Sequence, residues 1–172
     1  MGVIASQVTQ AYNATGAGNA GAWVTGAEIV EGVLEARASV LSLGLALDPN
    51  VIVLNDLQWA RAIGRLATAG VLPREAGNPV VSGAWPQALG LTWVSTPHTP
   101  TADPILLDNT QLGGMADEDL GGPGYKKAGG IGVETKAIRK EETDSYLVRA
   151  RRVTVPVVRE ASAAIRLTNT GL

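Results

Sequence analysis

Apolar residues recur along this chain with two different periods, and the change between them divides it. Ile29, Val33, Ala36 and Val40 fall on one stripe at helical spacing, with Val30, Leu34 and Leu41 beside it. Thr25 followed by Glu28 is a capping-box pattern and Gly44 a stop signal, so the spacing predicts a helix over about 26–43. Asp48-Pro49-Asn50 reads as a turn, and Val51–Leu54 is short, wholly apolar and rich in β-branched residues, which predicts a strand covered on both faces. Asn55 or Asp56 then caps a second helix, in which Trp59, Ile63 and Leu66 recur until Gly70. Trp59 is the expected large anchor of that helix in the core.

Beyond Gly70 the helical period disappears. "PVVSG", "LTWVS" and "PILL" are short extended pieces bounded by Pro and Gly, as expected of strands near a sheet edge. The stretch from Gly113 to Gly130 is so rich in glycine that it predicts a mobile loop, with one short helix near Met115. From Ile131 onward the period is two: Tyr146, Val148 and Ala150 share one face, Leu147, Arg149 and Arg151 the other, and the polar "KEETDS" joins the strands. A strand of about 12 residues spans roughly 40 Å, more than a compact domain of this size needs. The tail is therefore expected to project and touch something else. Residues 1–22 carry no sustained period and read as a flexible lead-in.

Composition narrows the function. With 172 residues, 45% of them hydrophobic, the chain can bury a core as one domain, or as one domain with an appendage. There is no Phe and there are four Trp, so Val, Leu, Ile and Ala must fill the interior around a few indoles. Lys and Arg number 14 against 16 Asp and Glu, a net charge of −2, which gives no overall basic field for nucleic acid or an anionic membrane. The absence of Cys excludes disulfides, thiolate metal sites and a cysteine nucleophile, and fits a reducing cytoplasm. No basic-then-apolar leader and no apolar run of about 20 residues occurs. Gly2 and Ser6 fit a myristoylation pattern, although an initiating Met-Gly is also common after expression cloning.

Catalytic patterns are scarce. His98 sits in a Pro-rich turn with no second His and no carboxylate at ligand spacing. "GGPGYKKAGG" has no Gly-Lys and so is no phosphate loop of the Walker kind. Asp117, Glu118 and Asp119 lack the alternation of a calcium loop. No catalytic, cofactor or metal site is expected. The local basic concentration, Arg149, Arg151 and Arg152 with Arg139 and Lys140, reads either as a solvated strand face or as a surface meeting acidic residues of a neighbouring chain.

In order and interval, "VIVLNDLQWARAI", "ALGLTWVSTP", "ILLDNTQLGGM" and "DSYLVRARRVTVPVVREASAAIRL" resemble the C-terminal half of the major capsid proteins of tailed bacteriophages. Their fold is often called the HK-ninety-seven fold and is shared with encapsulin compartments. Asn55 and Trp59 keep two positions of the family's strand-to-helix junction, where Asp56 and Gln58 replace its proline and aspartate. Gly90-Leu91-Thr92-Trp93 keeps only the glycine of a Gly-x-Pro-Val strand start. Tyr146, Arg149, Arg152, Arg159, Ala163 and Ile165 match the closing element, whose proline is missing, with Ala161 near its place.

The resemblance implies an α+β fold: an axial-type domain over residues 23–130 with a central mixed sheet flanked by helices, then long antiparallel peripheral-domain strands over 131–172. It implies a structural, non-enzymatic subunit of an icosahedral shell, located in the virion capsid and assembled in the bacterial host cytoplasm. Its partners would be copies of itself in capsomers, with scaffold or portal proteins as further partners, and neither specific nucleic acid nor membrane. The loop Leu72–Trp85, with Arg74 and Glu75, would point to the capsomer centre; Arg149, Arg151 and Arg152 are the other expected subunit contacts. The family's N-terminal arm, extended loop and spine helix have no counterpart, which implies a form shortened by truncation, processing or gene decay. The family's lysine–asparagine cross-link is not carried over, because its loop is missing and the asparagine's place falls near Asp144. The alternatives are an encapsulin-like shell protein, or a small α/β enzyme or ligand-binding domain with a Gly-rich lid at 113–130 and a polar pocket near His98, Asp103 and Asp108.

Overall fold

The computed structural model describes residues 6–19, 21–70, 87–99, 103–128 and 132–172. Two compact units make up the chain: a core unit of Met1–Gly113 with Val158–Leu172, and an excursion, Gly114–Val157, inserted between its two parts. The sequence placed a boundary at 130/131. The observed division differs because the extended structure of the excursion already begins inside the glycine-rich stretch.

The core unit holds α1 (Gly26–Leu41) and α2 (Asp56–Thr68). Its strands are β1 (Gln10–Asn13), β2 (Val51–Leu54), β3 (Gln87–Ala88), β4 (Leu91–Ser95), β5 (Ile105–Leu107) and the last strand, β11 (Ala164–Thr168). These form one mixed sheet in the order β1-β11-β5-β2-β4-β3. β1 runs parallel to β11 and β2 parallel to β4, while β5 is antiparallel to both β11 and β2. β2 is thus interior to the sheet, and Ile52, Val53 and Leu54 are buried, as an all-apolar strand requires.

Both helices begin where the sequence places them. The Thr25 hydroxyl accepts from the Glu28 amide at 3.3 Å while the Thr25 amide donates to the Glu28 carboxylate at 2.6 Å. At α2 the Leu57 amide donates to Asn55 Oδ1 at 3.0 Å, and the Asn55 amide donates to Gln58 Oε1 at 3.2 Å. Gln58 is therefore the reciprocal half of a second capping box. On α1 the stripe Ile29, Val33, Ala36 and Val40 is fully buried, whereas Leu34 and Leu41 face outward. Gly90 completes a two-residue turn between β3 and β4, with positive φ at Leu89 and Gly90 as a twist-matched hairpin demands.

Among the described residues, Trp23 and Trp93 are the fully buried indoles of the core unit. Each buries about 150–250 Å², roughly 4–6 kcal/mol gross at ~25 cal/mol per Å². Arg65 on α2 donates to the Trp23 carbonyl and the Trp23 amide donates to Thr170 O at 2.7 Å, tying the start of α1 to α2 and to the C-terminal segment. The indole lies against Gly32, where an added Cβ would stand 2.4 Å from Trp23 Nε1; at Gly26 it would stand 2.4 Å from Ala69 Cβ. Trp59 packs on the flank of the core, partly buried.

Four expectations change. "PILL", expected near a sheet edge, forms β5 in the sheet interior between β11 and β2, while "PVVSG" lies outside the described residues. Residues 10–13 lie in the segment read as lead-in, yet form β1, whose Tyr12 is buried and donates its hydroxyl to Glu35 on α1. The glycine-rich stretch contains β6 (Gly113–Asp117) and β7 (Lys126–Ala128), and Met115 lies in a strand instead of a helix. The tail strands are joined at "KEETDS" as expected, β8 (Val133–Lys140) pairing with β9 (Ser145–Arg151) as a hairpin, but they are shorter than about 12 residues, because the chain breaks after Arg151 and β10 (Thr154–Val158) pairs with β6 in a separate ribbon.

Gly32→Ala is expected to destabilise the protein by about 1–3 kcal/mol, since a fully buried indole must shift. Gly64→Ala, also inside a helix but with open space around its Cβ, is expected to stabilise by up to about 1 kcal/mol. Urea unfolding of the two variants tests this; equal effects would contradict the close approach of Trp23 to α1.

Candidate subunit-contact surface

The excursion contains a three-stranded antiparallel sheet, order β7-β8-β9, and the ribbon of β6 with β10. Register decides what each side chain meets. Glu134 stands opposite Arg151, Lys136 opposite Arg149, Ala137 opposite Val148 and Arg139 opposite Tyr146. Even-numbered β9 residues, Tyr146 and Val148, are 67% and 69% exposed, so one face of the hairpin presents apolar groups to solvent.

The three arginines expected at subunit contacts have unlike surroundings. Arg151 Nε donates to Glu134 Oε2 at 2.8 Å, and its Nη2 donates to the Gly121 carbonyl. Glu134 is only 5% exposed and also accepts from the Gly121 amide at 3.0 Å. The Arg151 guanidinium lies 3.8 Å from the Tyr125 ring centre, a stacked cation–π arrangement. Arg152 forks onto Asp117, with Nε to Oδ1 at 2.8 Å and Nη2 to Oδ2 at 2.9 Å. Successive arginines thus clamp two sheets, Arg151 the hairpin and Arg152 the ribbon. The clamp coincides with the interruption of the tail, where the most exposed apolar positions switch from even (Tyr146, Val148) to odd (Val155, Val157).

Arg149 is different. It stands opposite Lys136, whose Nζ donates to the Pro123 carbonyl at 2.9 Å, and among the described residues Arg149 has no carboxylate partner. Like charges opposite one another on a strand pair are unfavourable, and the carboxylate of this face, Glu134, is engaged by Arg151. Arg74 and Glu75 lie outside the described residues.

Four ionisable groups of the excursion are shifted, among them Arg152, raised by its hydrogen bond with Asp117. The hydrogen bond from Arg152 holds Asp117 below the usual carboxylate range, and the bond from Lys127, with a 2.6 Å contact, does the same for Asp119. The Lys127 ammonium is correspondingly raised. In the core unit, burial pushes the Asp108 carboxyl up, but the hydroxyl of Thr110 and the amides of Asp48, Thr110 and Gln111 outweigh it and the net shift is downward. Asp108 thereby organises a turn, with Thr110 Oγ1 at 2.6 Å and the Asp48 amide at 3.1 Å. His98 is exposed in the turn after β4. Among the described residues no group of three or more His, Cys, Asp or Glu is placed to hold a metal, and no helix is long and apolar enough to cross a membrane.

Depressed carboxylates stabilise the clamps above their ordinary value of 3.8, and that contribution is lost as pH falls through and below it. Amide exchange in β6 and β10, corrected for the intrinsic pH dependence, is expected to be protected at neutral pH and to accelerate below about pH 4. Asp117→Asn should reproduce the loosening at pH 7. Unchanged protection in both cases would show that the Arg152 fork holds nothing.

With this geometry in view, comparison with known proteins is informative. No curated protein matches the chain. A solved structure from Mycobacterium phage Che8 is similar in fold, with a TM-score of 0.54 and 12% identity over 99% of this chain and 57% of that one. The chain therefore spans little more than half the length of that relative. A family model described as phage capsid protein matches residues 1–167. A match over nearly the whole length, on an α+β chain with this mixed sheet, shows that the chain belongs to the phage capsid protein family.

Proposed function

We propose that this chain is a structural subunit of an icosahedral phage shell, building capsomers by repeated contact between copies of itself and carrying no catalytic step. The family match over residues 1–167 carries the reading. The core unit would be the axial-type part around the rotation axes and the excursion the peripheral part, with assembly in the host cytoplasm and scaffold or portal proteins as further partners. A closed shell needs one modest surface used many times, because weak contacts repeated around an axis sum to a stable ring.

Within this reading the three arginines divide their roles. Arg149, without an acidic partner among the described residues, is the group left for a neighbouring copy. Arg151 and Arg152 act as positioning residues, since their side chains are engaged within the excursion. Arg74 and Glu75 belong to the same proposal as contacts at the capsomer centre.

Electron microscopy of the concentrated protein at neutral pH is expected to show rings, sheets or shells of regular spacing. A strictly monomeric species at every concentration, or amorphous aggregate alone, would refute the reading. Arg149→Glu should weaken assembly while leaving stability within about 0.5 kcal/mol, as for a surface change. Arg151→Ala should instead loosen the hairpin by about 1–3 kcal/mol, because it leaves the nearly buried Glu134 without its partner.

A further inference from the structure

β9 is an edge strand. In the order β7-β8-β9 it is hydrogen-bonded to β8, and among the described residues no second strand pairs with it. It is seven residues long, contains no proline, and is exposed almost throughout. Natural edges are normally blunted by prolines, inward charges or a cover. This one instead carries Tyr146 and Val148 on an open face.

We propose that the free edge of β9 receives the β9 strand of a second copy, antiparallel, with Val148 opposite Val148 on the two-fold axis. This deepens the shell reading by naming the contact, and rests on it for the identity of the partner. Charge selects the direction. β9 starts at the acidic turn holding Glu141, Glu142 and Asp144 and runs into the arginines Arg149, Arg151 and Arg152. Antiparallel pairing brings the acidic turn of each copy level with the basic end of the other, twice per pair; parallel pairing would set like charges abreast. Centring on Val148 places Tyr146 opposite Ala150 and Leu147 opposite Arg149, so no arginine faces an arginine directly.

The pairing joins two three-stranded sheets into one of six, with Tyr146, Val148 and Ala150 of both copies on a single strip. A seven-residue strand addition buries less than the roughly 1,200 Å² of a small specific interface. The isolated pair is therefore weak, and a covalent trap is the suitable probe.

The chain has no cysteine, so single-cysteine variants report cleanly. Val148→Cys is expected to form a disulfide-linked dimer under mild oxidation, since residues opposite one another across paired strands lie about 4.5–5.5 Å apart. Ala137→Cys, on the same face one strand inward, is expected to stay unlinked, because its copies stand three strand spacings apart, roughly 14 Å. Equal linking of both variants, meaning random collision, or linking of neither, would overturn the contact. Microscopy of the same samples separates the two readings. Shells without Val148→Cys dimers defeat the edge pairing alone; register-specific dimers without any shells or rings sustain the edge pairing and defeat the shell.

Discussion

The structure depends on the position of β11. It lies between β1 and β5, parallel to the first and antiparallel to the second. The sheet of the core unit is therefore incomplete until residues 164–168 return to it, and the exposed flanks of β1 and β5 are what hold that return. Along the chain, Gly114–Val157 is inserted between β5 and β11, so the two strands that meet in the core sheet are separated in sequence by the whole excursion.

This division explains the unequal quality of burial along the chain. The core unit spends its large apolar groups internally, with Trp23, Trp93, Ile52, Leu54 and Leu106 fully enclosed. The excursion uses ion pairs and hydrogen bonds instead: Arg151 to Glu134, Arg152 to Asp117, Lys127 to Asp119. The more exposed of these pairs, at Asp117 and Asp119, are directional and weakly stabilising, whereas Glu134 is nearly buried and depends on its partner. All three pairs fix the geometry of the strands while leaving Tyr146, Val148, Val155 and Val157 outside.

Local signals made the central part of the fold legible in the sequence. Helices α1 and α2 and strand β2 are written in periods, caps and a β-branched run, each complete within a few residues. β1 was not legible, because Gln-Ala-Tyr-Asn is too short and polar to show a period and its partner lies more than 150 residues away in the chain. The glycine-rich stretch misled for a related reason: β6 and β7 exist because β10 and β8 pair with them, a long-range cause that composition does not record. Gln58 could have been found, since Asn55 and Gln58 stand at capping-box spacing. The contact surface was half visible. Alternation separated Tyr146 and Val148 from Arg149 and Arg151, but only register shows that Glu134 meets Arg151 while Arg149 meets Lys136.

The central claim is that β2 and β11 are paired on both sides within the core unit while the excursion leaves the β9 edge for another copy. Hydrogen exchange followed by mass spectrometry, on dispersed and on concentrated, associated protein, tests it most directly. The account predicts slow exchange at 51–54 and 164–168 in both states, with protection gained on association at 145–151. Identical exchange of 145–151 in the two states, with the gain confined to the core unit, would contradict it.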